Sequence, residues 1–130
     1  MAEMSDYLEN ALLNATLNGT TYTAVATPYI SLHTADPTDD GTGTEVSGGS
    51  YARTSASFAT ASGTSGSIAT DADTTFPTAT ASWGTVTHIG IWDASTAGNL
   101  LYHSALDSSK TIDSGDIFKI ASGDLTVTLA

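Results

Sequence analysis

The sequence contains no cysteine, which removes disulfide frameworks, thiolate zinc sites and cysteine nucleophiles together. Basic residues are almost as scarce. One arginine and two lysines stand against 14 acidic residues, for a formal net charge of −11 over 130 residues. A phosphate-neutralising surface would have to come from three cations, so nucleic acid is not an expected partner. The same sign disfavours anionic membrane surfaces, and no stretch approaches the roughly 20 apolar residues of a spanning helix. The opening "MAEMSDYLEN" lacks the basic region and apolar run of a secretory signal, so synthesis in the cytoplasm without export is expected.

What fills the sequence instead is Thr, Ser, Ala and Gly. Only 13% of residues are charged and 40% are apolar, a profile that favours β-structure with many turns. The length suits a single domain with one modest core of two packed layers. We expect a mainly β fold, an antiparallel β-sandwich or barrel, preceded by one amphipathic helix. Residues 1–19 would carry that helix, as an anchor or cap, and residues 20–130 a single β-domain.

The helix is read from "SDYLENALLNATLNG", Ser5 to Gly19, in which Leu8, Ala11, Leu12 and Ala15 share a face that Leu13 and Leu17 broaden. Ser5 is the N-cap, Asp6 and Glu9 suit the positive end of the helix, and Asn18-Gly19 is a stop signal. From Thr20 the period becomes two. Ile30 and Leu32 point one way and Tyr29, Ser31 and His33 the other. "ADPTDDGTGTEVSGGS" is long for a loop in a small domain, which marks it as functional or mobile. "YARTSASFATAS" returns to alternation, and the segment around Ile68 and Phe76 has room for one or two edge strands. Trp83 to Trp92, a turn at "DASTAGN" and a return strand from Leu100 to Leu106 predict a hairpin. "IFKI" and "LTVTL" follow, each after the turn tripeptide Ser-Gly-Asp, as two further strands.

Several groups could carry chemistry. Asp36, Asp39, Asp40 and Glu45 offer oxygen ligands for calcium in a Gly-rich loop, although their spacing is not that of an EF-hand and a solvated turn uses the same residues. His33, His88 and His103 all fall in predicted strands but form no H-x-H, H-x-x-H or HExxH pair; His88 and His103, on the two arms of one hairpin, are expected to be cross-strand neighbours. No G-x-S-x-G elbow, P-loop or dinucleotide fingerprint is present, so no enzyme activity and no cofactor are expected. Trp83, Trp92, Tyr102 and Phe118 could form a sugar platform, or serve as core and interface anchors. Arg53, the only arginine, sits in "EVSGGSYARTSASF", where a bidentate pair with Glu45, Asp93 or a neighbouring chain's carboxylate would fix strand register. Gly48 and Gly49 would supply the bend before that strand.

Four segments, taken in order, resemble a set of small phage and prophage virion proteins of about this length. They are the Ser5 to Asn14 helix, the Tyr29 to Arg53 strand and loop, "FPTATASWGTVTHIGIWDASTAGNLL" from Phe76 to Leu101, and "SGDIFKIASGDLTVTL" from Ser114 to Leu129. The most specific parts are E-V-S-G-G-x-Y-A-R and W-G-T-V-T-H-x-G-I-x-D. The resemblance implies a structural component of the virion, either a tail-fibre or tail protein or a capsid decoration protein, with no catalytic residues to carry over.

On that basis the leading expectation is a homo-oligomeric capsid decoration, or cement, protein that binds and stabilises the assembled shell, made in the host cytoplasm and located in the virion. The alternative is a tail fibre or tail-associated protein involved in host attachment. Partners would be other virion proteins, the major capsid protein or tail proteins. Interface candidates are Leu8 and Leu12 on the helix, together with Arg53, Trp83 and Trp92.

Overall fold

A computed structural model describes residues 2–129. The helix α1 runs over Asp6–Leu17, one residue after its cap. Ser5 is extended, and its Oγ accepts a hydrogen bond from the Leu8 N–H at 3.1 Å, as an N-cap should. The same hydroxyl donates to the Leu100 carbonyl, and the Ser5 N–H donates to the Leu101 carbonyl at 2.9 Å. One residue thus both starts the helix and ties it to a strand 95 positions away. Leu8 is the buried helix residue; Ala11, Leu12 and Ala15 are half-buried, whereas Leu13 and Leu17 are 56% and 81% exposed.

The period-two segments form an antiparallel sheet of five strands, β1 (Glu3–Met4), β2 (Tyr29–His33), β3 (Thr54–Ser55), β6 (Gly84–Trp92) and β7 (Leu100–Ile112), in the order β1-β7-β6-β2-β3. Two ribbons make a partial second layer: β4 (Ser67–Ala69) with β9 (Thr126–Thr128), and β5 (Thr74–Thr75) with β8 (Lys119–Ile120). The fold is mainly β and antiparallel with one N-terminal helix, as composition and periodicity predict. Between the layers lies the core. Ile30 and Leu32 of β2 and Val86, Ile89 and Ile91 of β6 meet Phe76, Phe118, Leu125 and Val127. The Phe76 and Phe118 rings pack edge to face at 5.6 Å, a favoured aromatic geometry.

Two details depart from the periodic reading. The return strand of the hairpin does not stop at Leu106 but continues to Ile112. The register shifts between Val86 and His88, so that Leu106 to Ser109 stand opposite Thr87 alone before pairing resumes at Lys110, and this bulge hides the strand's continuation from an alternation test. "IFKI" and "LTVTL" shrink to Lys119–Ile120 and Thr126–Thr128, with Ile117 and Leu129 exposed. Their preceding turns are alike, as the repeated tripeptide predicts. Asp116 N–H bonds the Asp113 carbonyl and Asp124 N–H the Ala121 carbonyl, each at 3.0 Å, with Gly115 and Gly123 at φ 93° and 85° in the third position of the turn.

Candidate functional site

The alternate residues of β2 turn to the other face of the sheet, and this face is covered as well. Ser31 and His33 are fully buried, which a half-solvated strand would not show. Their cover is the long acidic loop. Thr34 N–H donates to the Thr44 carbonyl and Gly43 N–H to the Pro37 carbonyl, closing residues 34–44 into a compact flap with Pro37 buried beneath it. Gly41 adopts φ 74°, and a Cβ there would lie 3.2 Å from the Trp92 ring and 3.3 Å from the Leu100 Cβ. The loop is therefore a lid on the sheet.

Arg53 is the centre of this face. Its Nε and Nη2 donate to the two oxygens of Glu45, each at 2.9 Å, and its Nη1 donates to the carbonyls of Ala94 and Ala97 at 3.2 and 2.8 Å. The guanidinium also stacks over the Trp92 ring at 3.8 Å. Of the partners weighed from sequence, Glu45 is the one taken in a fork-shaped pair, while the remaining nitrogen of Arg53, just ahead of β3, reaches the tip of the β6–β7 hairpin. Gly48, Gly49 and Ser50 all have positive φ and make the bend ahead of it. At Gly49 the indole Nε1–H of Trp83 donates to the carbonyl at 2.9 Å, and a Cβ would sit 2.9 Å from that nitrogen.

Burial alone would raise the Glu45 carboxyl, but hydrogen bonds from Arg53 and Tyr51 and the Arg53 charge outweigh it and hold it below the usual range. The Tyr51 hydroxyl donates to Glu45 Oε2 at 2.7 Å and accepts from the Leu32 N–H at 3.0 Å. Burial, then the Glu45 hydrogen bond, push the phenol upward. A second chain of bonds lies alongside, in which Trp92 Nε1–H donates to Ser31 Oγ at 2.7 Å and that hydroxyl meets His33 Nε2 at 2.6 Å. His33 Nδ1 is the buried side-chain atom without a hydrogen-bond partner among the described residues. Desolvation lowers the His33 pKa despite the opposing charge of Glu45.

The residues weighed for calcium do not converge. Glu45 is engaged by Arg53 and Tyr51, and Asp40 Oδ1 accepts from Thr38 Oγ1, Thr42 Oγ1 and the Thr42 N–H inside its own turn. Those bonds lower the Asp40 pKa. Asp36 and Asp39 instead approach His103, at 3.5 and 2.8 Å. The three histidines stay apart in role. His33 pairs with His88 across β2 and β6, whereas His103 lies opposite Gly90, so His88 and His103 are not the cross-strand neighbours expected. A separate register shift between Ile91 and Trp92, nearer the turn, places Ala105 opposite His88.

The aromatic candidates are spent internally. Trp83, Trp92 and Phe118 are buried, Trp83 edge-on to Tyr51 at 5.4 Å, and Tyr102 is half-buried against the core, so among the described residues these four build no exposed aromatic platform. Arg53 is likewise consumed within the chain, its side chain 8% exposed. Leu8 is buried against the sheet domain and Leu12 half-buried. The large apolar side chains that do reach solvent near the helix are Tyr7, Leu13 and Leu17. Sequence reasoning did not single out Glu3, whose two-residue strand has no periodic signal, or Tyr51 as a partner of Glu45. Among the described residues no helix is long and apolar enough to cross a membrane.

No curated protein gives a significant match. The family described as podophage GP4 fiber I protein gp80 matches residues 3–128, which takes in α1, both faces of the sheet and both ribbons. The chain therefore belongs to this family of phage fiber proteins, and so to the structural proteins of the phage particle.

Proposed function

We propose that this chain is a non-catalytic fibre subunit at the tail of a phage, where it helps to hold the host-attachment apparatus, and that it works as a homo-oligomer. The observation that carries this reading is the fiber-family match across the whole domain. The surface supports it. Arg53, Trp83 and Trp92 are used to build the fold, which leaves the exposed apolar side of α1, with Tyr7, Leu13 and Leu17, as the natural contact for a neighbouring chain. Burying such side chains stabilises association at about 25 cal/mol per Å² of apolar area. Acidic groups around them would pair with basic groups on other virion proteins at the rim.

The test is location and copy number. Purified virions separated into heads and tails are analysed by quantitative mass spectrometry. A few to a few tens of copies in the tail fraction are the expected result. Hundreds of copies in the head fraction would overturn the fibre reading in favour of capsid decoration, the role that sequence alone favoured.

A further inference from the structure

The pairing of β1 with β7 sets Glu3 directly opposite His103, and the lid brings two more carboxylates to the same imidazole. His103 Nε2 lies 2.8 Å from Asp39 Oδ1 and 3.9 Å from Glu3 Oε2, while Nδ1 lies 3.5 Å from Asp36 Oδ1. The histidine side chain is only 5% exposed, and the ion-pair partners of both ring nitrogens are carboxylates. The described ion pairs of Arg53 and Lys119 are with Glu45 and Asp73, not with these carboxylates. A buried imidazole thus faces three half- to largely exposed carboxylates from two segments, Glu3 of β1 and Asp36 and Asp39 of the lid, a mixed nitrogen and oxygen donor set open to solvent on its carboxylate side.

We propose that Glu3, Asp39 and His103 form a site for a divalent transition-metal ion of the zinc class, with Asp36 as a positioning residue on the far side of the ring. One ligand atom from each of the three lies within 4.8 Å of the others. Tetrahedral ligands at about 2.0–2.2 Å from zinc stand roughly 3.3–3.6 Å apart, between the 2.8 and 3.9 Å separations seen here. Small side-chain rotations therefore admit the ion, and the exposed carboxylates leave water access to the remaining coordination position. Asp36 Oδ1, 3.5 Å from Nδ1, is near enough to take up that nitrogen's hydrogen bond when Nε2 turns to a metal. The imidazole donor also favours zinc over calcium or magnesium, which take all-oxygen sites.

The bound ion would join three separately held pieces: β1, the lid and β7. The Asp39 carbonyl already accepts from the Asp6 N–H at 3.0 Å, so the metal would clamp the start of α1 to the sheet and set the direction in which its exposed side points. This inference stands independently of the fibre reading.

The test uses the full chain, stripped with chelator and then melted with Zn²⁺, Ca²⁺ or Mg²⁺. Zinc should raise the melting midpoint by several degrees, and Co²⁺ should give the visible absorption of a nitrogen- and oxygen-ligated ion. Glu3→Gln and Asp39→Asn, both at exposed carboxylates and checked for folding by circular dichroism, should each shrink the zinc shift and together abolish it. Asp36→Asn should weaken zinc affinity about 10-fold or more while leaving the cobalt spectrum in place. No zinc shift in the unaltered chain, an equal shift in the double variant, or a calcium shift as large as that with zinc would each overturn the proposal.

Discussion

The two faces of the five-stranded sheet are held by different physics. One face carries Ile30, Leu32, Val86, Ile89 and Ile91 into an apolar core, where stability comes from area removed from water and is indifferent to pH. The other carries Ser31, His33, Arg53 and Trp92 under an acidic lid, where every polar group depends on a partner. The first tolerates any well-shaped apolar side chain. The second specifies particular residues, because a buried charge left alone is costly whereas a slightly smaller methyl group is not.

Arg53→Ala should give the largest effect, about 3–5 kcal/mol at neutral pH, since it strands Glu45 and uncovers Trp92. Its cost should shrink toward pH 4. Glu45 has its folded pKa below the ordinary value of 4.5, so its contribution is present above that value and is lost as pH falls through the folded pKa. Urea titrations at pH 7 and pH 4 measure both; an unchanged cost would place the stabilisation in packing rather than charge. Leu32→Ala, on the apolar face, should cost about 2–5 kcal/mol with no such pH dependence in the same titrations.

Smaller effects sharpen the contrast. Ser5→Ala removes the cap of α1 and its tie to β7, and should cost about 1–2 kcal/mol, with hydrogen exchange accelerated in α1 before the central strands. His33 has its pKa lowered below 6.5 by burial, so the unfolded chain takes up a proton that the folded chain refuses. Stability present above about pH 6.5 is therefore lost as pH falls through the folded pKa. The urea midpoint of His33→Gln should decline less between pH 7 and pH 5 than that of the unaltered chain. Smallest of all, Leu13→Ser and Leu17→Ser should change monomer stability by no more than about 0.5 kcal/mol, yet reduce self-association in sedimentation experiments.

Much of the apolar face was legible from the chain. Alternation placed Ile30 and Leu32 inward, the Ser-Gly-Asp repeats marked two matching turns, and Ser5 and Asn18-Gly19 bounded the helix, because each is a local signal written within a few residues. The lid face was legible only in outline. Glu45 could be named as a partner for Arg53, but nothing local says that residues 34–44 fold back over Trp92 and Leu100, since that contact spans some 50 positions. A loop so rich in Asp, Thr and Gly reads as solvated or mobile until its cover is seen. The extension of β7 past Leu106 was hidden for a related reason, as a bulge breaks the alternation that would announce it.

Composition and pattern by themselves determined that this would be an acidic, cysteine-free, mainly β domain behind a capped helix, because turn chemistry, helix caps and strand periodicity act over short distances. Tertiary structure alone decided which groups remain available. It buried Arg53, Trp83 and Trp92 within the chain, left Leu13 and Leu17 outside, and gathered Glu3, Asp36 and Asp39 around His103. Those outcomes depend on strand order and on a loop closing over a sheet, and both arise from contacts between residues far apart in the chain.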